Sequence, residues 1–128
     1  MITALTCGVK ISVENLYRKD LSNVQNNMYF FNYRIVIENL NAYPVQLLSR
    51  YWFIFDSLNP AKELSGEGVV GEQPVLQPGD KHVYVSGCDL RSEAGYMRGY
   101  YIFEKMEEKE RFRVAVPRFE LFATLKMN

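Results

Sequence analysis

Apolar and polar residues alternate along most of this chain with the two-residue period that is typical of β-strands. The clearest case spans residues 28–40, where one face is polar and the other is apolar or aromatic. The apolar face consists of Phe31, Tyr33, Ile35 and Ile37. A strand with this pattern buries one face in a core and leaves the other in water.

Seven such segments, separated by short polar or glycine-containing connections, predict seven strands. Six of them are residues 9–13, 28–40, 45–56, 81–86, 96–105 and 111–123, and the seventh runs from the turn at 57–60 toward the glycines at 66–71. We interpret residues 14–27 as a loop or short helical turn and residues 87–95 as a loop. No segment shows a sustained 3.6-residue apolar period, so we predict an antiparallel β-sandwich, with a barrel as the alternative.

The pattern of residues 45–56 predicts a strand that is largely apolar on both faces. One predicted face consists of Leu48, Trp52 and Ile54 together with Arg50 and Asp56. The opposite face consists of Leu47, Tyr51, Phe53 and Phe55. Such a strand lies in the centre of a sheet or has its second face covered, and Trp52 at this position suits the core of an immunoglobulin-like sandwich.

Composition narrows the class of protein without naming an activity. At 128 residues the chain is expected to form one domain, residues 1–128. Its formal net charge of zero argues against nucleic-acid and membrane-surface partners, which favour a basic excess. Two cysteines, Cys7 and Cys88, are too few for a disulfide scaffold, and no signal peptide or membrane-spanning apolar stretch is evident. We therefore expect a cytoplasmic location.

Three glycines, Gly66, Gly68 and Gly71, have the G-x-G-x-x-G spacing of some phosphate-binding loops. Such a loop needs a helix that begins at the glycines, but Pro74 and Pro78 would prevent a helix from continuing. Three glutamates between residues 63 and 72 would also repel a phosphate. We interpret the stretch as a bulged strand and turn, in which glycine permits positive φ or close backbone approach.

Candidate catalytic and metal-binding groups are sparse. The one histidine, His82, lies on an alternating strand near Ser86 and Cys88, and we interpret it as a surface strand residue. Cys7, His82 and Cys88 show none of the short spacings that metal sites favour. We predict no catalytic constellation, no metal site and no cofactor.

Aromatic residues near residue 100 allow two interpretations. Tyr96, Tyr100, Tyr101 and Phe103, with Arg98 among them, could stack on the bases of a single-stranded nucleic acid. A basic groove is not evident from the sequence, however. We favour core packing combined with a patch that binds a protein partner.

Several motifs occur together along nearly the whole chain. They are the run from Gly66 to Pro74 with Leu-Gln-Pro-Gly at 76–79, Tyr-Val-Ser-Gly at 84–87 with Leu90, and Gly-Tyr-Met-Arg-Gly at 95–99 with Tyr101. Two further motifs are a strand with an arginine and a tryptophan at residues 48–54 and a Y-x-I-x-I-x-N strand at residues 31–39. In this combination the sequence resembles the ApaG family.

The resemblance implies an immunoglobulin- or fibronectin type III-like all-β sandwich, here of about seven or eight strands. It also implies a small cytoplasmic protein without an established enzymatic activity, in a family loosely linked to cobalt resistance and magnesium efflux. Related eukaryotic domains imply a protein-binding role. Residues 102–106 and the charged tip that follows depart from the family pattern, so a surface there need not transfer.

We therefore expect a non-enzymatic module that binds an unidentified protein partner. An exposed edge strand could also support a homodimer. The alternative is a small-ligand site for a nucleotide, pyrophosphate or divalent cation at the glycine-rich loop. The candidate binding surface consists of Gly66, Gly68, Gly71, Glu72, Arg50, Trp52, Tyr96, Arg98 and Tyr101.

Overall fold

Antiparallel β-strands make up most of the computed structural model, which describes residues 1–123. Two short 3₁₀ turns, Lys19–Leu21 and Val24–Asn26, are the helical elements of this part of the chain, and neither could cross a membrane. Residues 124–128 of the predicted single domain lie outside the described residues. The strands are β1 (Ile2–Thr6), β2 (Val9–Tyr17), β3 (Tyr29–Asn39), β4 (Val45–Asp56), β5 (Asn59–Glu67), β6 (Val75–Leu76), β7 (Lys81–Leu90), β8 (Ala94–Lys105) and β9 (Arg111–Phe122).

The strands form two sheets that pack face to face. Sheet I has the order β1-β2-β3-β7, and sheet II has the order β5-β4-β8-β9, with the short β6 also paired to β4. Neighbouring strands are antiparallel throughout. This arrangement confirms the predicted immunoglobulin- or fibronectin type III-like sandwich.

The core lies between the inner faces of the two sheets. On β3 the predicted face is correct, because Phe31, Ile35 and Ile37 are fully buried and Tyr33 nearly so. Each such side chain contributes about 1.5–3 kcal/mol through burial. Trp52 of β4 is 3% exposed, and its ring lies 5.5 Å from Tyr33 and 6.0 Å from Phe119 in edge-to-face contacts.

The central strand β4 contains a bulge that the alternation pattern did not reveal. Leu47 pairs with Phe103 and Ser49 with Ile102, so Leu48 has no direct partner on β8. The extra residue reverses the alternation, and both Leu47 before it and Trp52 after it face the core. The prediction that Leu47 shares a face with Tyr51 is therefore wrong, whereas the central position of β4 between β5 and β8 is confirmed.

Two predicted loops are shorter than expected. Strand β2 continues to Tyr17, and the 3₁₀ turns follow it, so only part of residues 14–27 is a connection. Strand β7 continues to Leu90, and the interpretation of residues 87–95 as a loop is wrong. Gly87 does not break the strand; it makes room for the Phe30 ring, which a Cβ at this position would meet at 2.4 Å.

Two buried polar side chains fix the connections at opposite ends of β4. The amide nitrogen of Asn39 donates to the carbonyl oxygens of Tyr43 and Leu76 at 2.9 and 3.0 Å. The Asp56 carboxylate accepts hydrogen bonds from the Arg91 amide at 2.7 Å and from the Ser92 hydroxyl. Both groups are almost completely buried, and these hydrogen bonds offset the cost of removing them from water.

One edge of sheet II is covered and the other is open. The Asn15 side chain on β2 donates to the Glu120 carbonyl of β9 at 3.1 Å, and the Ala115 amide donates to Thr6 at 3.4 Å. At the opposite edge, residues 59–67 of β5 are mostly exposed. Along β9, Pro117 lies in a register shift between the pairs Gly99–Val116 and Met97–Phe119, a position where a proline removes no hydrogen bond that the sheet needs.

The two free cysteines should differ sharply in reactivity. Cys88 is buried, and burial followed by the nearby Asp89 charge raises the pKa of its thiol to about 12, whereas Cys7 is exposed. At pH 8 only about one Cys88 in ten thousand is ionised, so Ellman's reagent should titrate one thiol in the native protein and two in denaturant. A Cys7→Ser variant should show no rapid phase, and rapid reaction of both native thiols would contradict this assignment.

Candidate binding surface

The glycine-rich stretch is a tight hairpin turn. The Val69 amide donates to the Glu72 carbonyl at 2.8 Å, and the Glu72 amide donates back to the Val69 carbonyl at 3.0 Å. The two residues between them, Val70 and Gly71, both have positive φ, at 47° and 79°. Positive φ at both central positions is the mark of a type I′ turn, which matches the right-handed twist of its flanking strands.

At the other two glycines, Gly68 and Gly66, the absence of a side chain lets other groups of the protein come close to the backbone. Gly68 has a φ of 65°, and a Cβ there would lie 2.2 Å from the Glu72 carbonyl oxygen. Gly66 lies within β5, where a Cβ would come within 3.0 Å of the Arg50 guanidinium. The prediction that these glycines serve positive φ and close approach is confirmed.

Arg50 joins the hairpin turn to the central strand. It lies opposite Gly66 on β5 and Tyr101 on β8, so it shares the inner face of sheet II with Trp52. Its Nη1 donates to the carbonyl oxygens of Glu67 and Gly68, both at 2.9 Å. Four of the predicted site residues, Arg50 and the three glycines, therefore form one structural unit.

The same hydrogen bonds leave this unit poorly suited to hold an anion. The amides of Gly68, Val69 and Glu72 already donate to carbonyl groups of the protein. The cation of Arg50 is directed at carbonyl oxygens, and the Glu72 side chain is exposed beside the turn. A phosphate would approach an acidic surface and would have to displace backbone hydrogen bonds.

Two predicted surface residues, Trp52 and Tyr101, are in the core. Trp52 is 3% exposed and Tyr101 is fully buried. The Tyr101 hydroxyl is hydrogen-bonded to that of Tyr84, and burial raises the pKa of both phenols above the ordinary value. These two side chains therefore shape the sandwich and do not reach a partner.

The outer face of sheet II carries three neighbouring rows of aromatic rings and guanidinium groups, which run across strands β4, β8 and β9. Because β4 alternates regularly after its bulge, every second residue from Tyr51 to Phe55 points away from the core, and partners on β8 and β9 do the same. Most of these side chains are half-buried or exposed. We call this surface the aromatic–arginine face, and it consists of Tyr51, Phe53, Phe55, Tyr96, Arg98, Tyr100, Arg113 and Arg118.

Two rows of this face have the same composition, a ring from β4, a tyrosine from β8 and an arginine from β9. Tyr51 stacks on Tyr100 with 4.9 Å between ring centroids, and the Arg113 guanidinium lies 3.8 Å from the Tyr100 ring centroid. In the second row Phe55 stacks on Tyr96 at 4.9 Å, and the guanidinium of Arg118 lies 3.7 Å from the Tyr96 centroid. Each tyrosine is thus flanked by a ring and a cation.

Phe53 and Arg98 form a third row between the other two. The Arg98 guanidinium lies 4.3 Å from the Phe53 ring centroid. Beside it, the Tyr51 hydroxyl donates to the Glu63 carboxylate of β5 at 2.6 Å. This hydrogen bond raises the pKa of Tyr51, because loss of the phenol proton would place two negative charges together.

Only part of the aromatic–arginine face was identified from sequence. Tyr96 and Arg98 were among the predicted residues, and both lie on it. Tyr51, Phe53 and Phe55 lie on one apolar face of a predicted strand, and that pattern is the sequence signal for this surface. What was missing was the register that places them beside Tyr100 of β8 and the arginines of β9.

Comparison with known proteins identifies the family. The ApaG domain matches residues 19–105. This chain belongs to the ApaG family. It is 44% identical to the protein ApaG of Sinorhizobium fredii over 94% of this chain and 92% of that protein, and 43% identical to that of Brucella canis with the same coverage. A crystal structure of a Bordetella pertussis protein shares the fold, with a TM-score of 0.87, 36% identity and coverage of 92% of this chain and 95% of that one.

The hairpin turn should lose stability when the Arg50 side chain is replaced by one without hydrogen-bond donors. Arg50→Met keeps most of the aliphatic stem but leaves the Glu67 and Gly68 carbonyls without this partner, so the free energy of unfolding should fall by about 1–2 kcal/mol. Urea denaturation measures the loss, and amide exchange at residues 66–72 should accelerate most. Arg34→Met, which removes a partly exposed ion pair to Glu14 on sheet I, is the control and should cost only a few tenths of a kcal/mol. Equal losses in the two variants would argue against the assigned role.

Val70 should be replaceable with a gain in stability. A β-branched residue at a φ of 47° is strained, and Val70 is 62% exposed, so little burial would be lost with it. Val70→Asn creates the Asn-Gly pair that type I′ turns prefer and should raise the free energy of unfolding by about 1 kcal/mol. Thermal unfolding measures this change. The control is Val85→Asn, at an exposed strand position of β7, which should give no gain in stability. A lower melting temperature for Val70→Asn would show that the backbone at Val70 is not strained.

Proposed function

We propose that this chain is a non-enzymatic protein-binding module that acts through the aromatic–arginine face. The observation that carries the proposal is the set of three arginines, each stacked on an outward-facing aromatic ring of sheet II. Tyrosine, phenylalanine and arginine are the side chains enriched in protein interfaces, and tyrosine and arginine are common hot-spot residues.

The packing of these side chains also favours binding. An isolated surface arginine loses much conformational freedom when a partner immobilises it. Here the guanidiniums are already held against rings, and the rings are held against each other across β4 and β8. Pre-ordering of this kind lowers the entropic cost of association, so more of the contact energy contributes to affinity.

The small-ligand alternative at the glycine-rich loop has less support. The amides of Gly68, Val69 and Glu72 already donate within the protein, as the Arg50 guanidinium does. The charged side chains that the loop exposes, Glu67 and Glu72, are acidic. Within residues 1–123, no three His, Cys, Asp or Glu side chains are grouped closely enough to hold a metal ion. As part of the same proposal, we relate the family's loose link to cobalt resistance and magnesium efflux to an action through a partner protein.

Homodimer formation through an edge strand is also less favoured than binding at the face. The open edge β5 begins with Asn59 and Pro60, and proline cannot donate a backbone hydrogen bond to a neighbouring strand. Lys62 lies opposite the buried Ile54, which places a charge on the inward side of this edge. Both features are typical of edges that resist pairing with another strand.

Site-specific photocrosslinking in cells tests the proposal. A benzoylphenylalanine at Ala115, which is exposed on the aromatic–arginine face beside Tyr100, should form an adduct with one recurring protein. The same group at Val85, on the outer face of sheet I, is the matched control and should not capture that protein. With the purified partner, Tyr51→Ala and Tyr100→Ala should each weaken binding about tenfold or more.

Two results would contradict the proposal. One is an identical set of adducts from Ala115 and Val85, and the other is the absence of any specific adduct from Ala115. Titration with ATP, pyrophosphate, Mg²⁺ and Co²⁺ provides the second arm. Amide signals of residues 66–71 should stay unchanged at millimolar ligand, and a saturable shift there would favour the small-ligand alternative.

A further inference from the structure

We infer that the aromatic–arginine face recognises an acidic segment of its protein partner, with Arg98 and Arg113 as the groups that bind carboxylates. This inference rests on the proposed function, because it specifies the chemistry of the partner at the same surface. It is based on the way the three stacked arginines differ in their surroundings.

Arg118 already has a carboxylate partner, whereas the other two stacked arginines do not. The Nε of Arg118 lies 2.8 Å from the Glu120 carboxylate. Among residues 1–123, no carboxylate lies within 4.0 Å of the guanidinium of Arg98 or Arg113, and both side chains are exposed. A ring face attracts the cation but offers no lone pair to its five N–H donors. The donors of these two arginines therefore face solvent.

A fixed guanidinium with free donors is well matched to a carboxylate. The planar fork of arginine binds a carboxylate through two parallel hydrogen bonds, which are stronger than neutral ones. The rows of Arg98 and Arg113 are neighbours on the face and are two residues, or about 7 Å, apart along the strands. Two acidic side chains that are two residues apart in an extended segment point to the same side and span about that distance.

An apolar contact is available next to these charges. A shallow depression beside the hairpin turn is lined by the apolar groups of Tyr51, Tyr100 and Ile102 together with polar residues that include Ser49, Ser65 and Glu67. An aliphatic or aromatic side chain that follows or precedes the acidic residues on the same side of the segment could lie there. The partner segment therefore combines acidic residues with an apolar anchor.

A nucleic acid has the same negative charge but fits this face less well. Four arginines lie on or next to the face, at positions 98, 111, 113 and 118, and four glutamates, at positions 63, 67, 104 and 120, balance their charge. This surface therefore lacks the excess of positive charge with which proteins bind a phosphate backbone. The rings of Tyr96 and Tyr100 are each flanked by another ring and by a guanidinium, which leaves little ring face for a base. A peptide with few carboxylates matches both features.

Selection from a random twelve-residue peptide library on the immobilised full chain tests the inference. Selected peptides should be enriched in aspartate and glutamate, and their affinity should fall as salt is raised. The double variant Arg98→Gln/Arg113→Gln should weaken binding at least tenfold, and Arg98→Lys/Arg113→Lys should weaken it less. Arg34→Gln on sheet I is the matched control and should bind as the native chain does. Thermal unfolding of each variant establishes that it is folded.

The outcomes separate this inference from the function on which it rests. Peptides that are lost with Tyr51→Ala or Tyr100→Ala but lack acidic enrichment would overturn the inference and leave the protein-binding function intact. Selection of no peptide that depends on the face would contradict both. Tighter binding of a twelve-nucleotide single strand than of the selected peptides, with the same dependence on Arg98 and Arg113, would replace the peptide with a nucleic acid.

Discussion

The direction of each side chain along β4 is the constraint on which the rest of this structure depends. The bulge at Leu48 places Leu47 in the core and then turns Arg50 and Trp52 inward as well. From that position Arg50 reaches across β5 to the carbonyls of the hairpin turn. Without the extra residue, the aromatic residues that now face solvent would compete for the core, because a shift of one residue exchanges the two faces of a strand.

The outer surface of sheet II follows from the same register. Once Tyr51 and Phe55 point outward, the pairing of β4 with β8 brings Tyr100 and Tyr96 beside them, and the pairing of β8 with β9 adds the arginines. Cross-strand neighbours on one face lie about 5 Å apart, which is close enough for rings to stack. The surface is therefore ordered by the sheet and does not require a partner to assemble it.

The motif that identifies the family and the surface proposed to bind a partner are different parts of the molecule. The glycine-rich stretch carries much of the resemblance to ApaG proteins, yet its glycines serve a type I′ turn and the passage of the Arg50 side chain. The amides of Gly68, Val69 and Glu72 donate within the protein. The aromatic–arginine face, by contrast, has ordered cationic groups whose donors face solvent.

Local patterns in the sequence determined the all-β class, most strands and the exclusion of a helix after the glycines, because period-two alternation and proline act within a few residues. They did not determine the bulge at Leu48, the continuation of β7 through Gly87, or the meeting of Tyr100 with Tyr51 and Arg113. Each of these depends on what lies opposite in a neighbouring strand, and strand register is a property of residues far apart in the chain. Sequence could therefore suggest that Tyr96 and Arg98 lie on a binding surface, and the tertiary structure decided that Trp52 and Tyr101 do not.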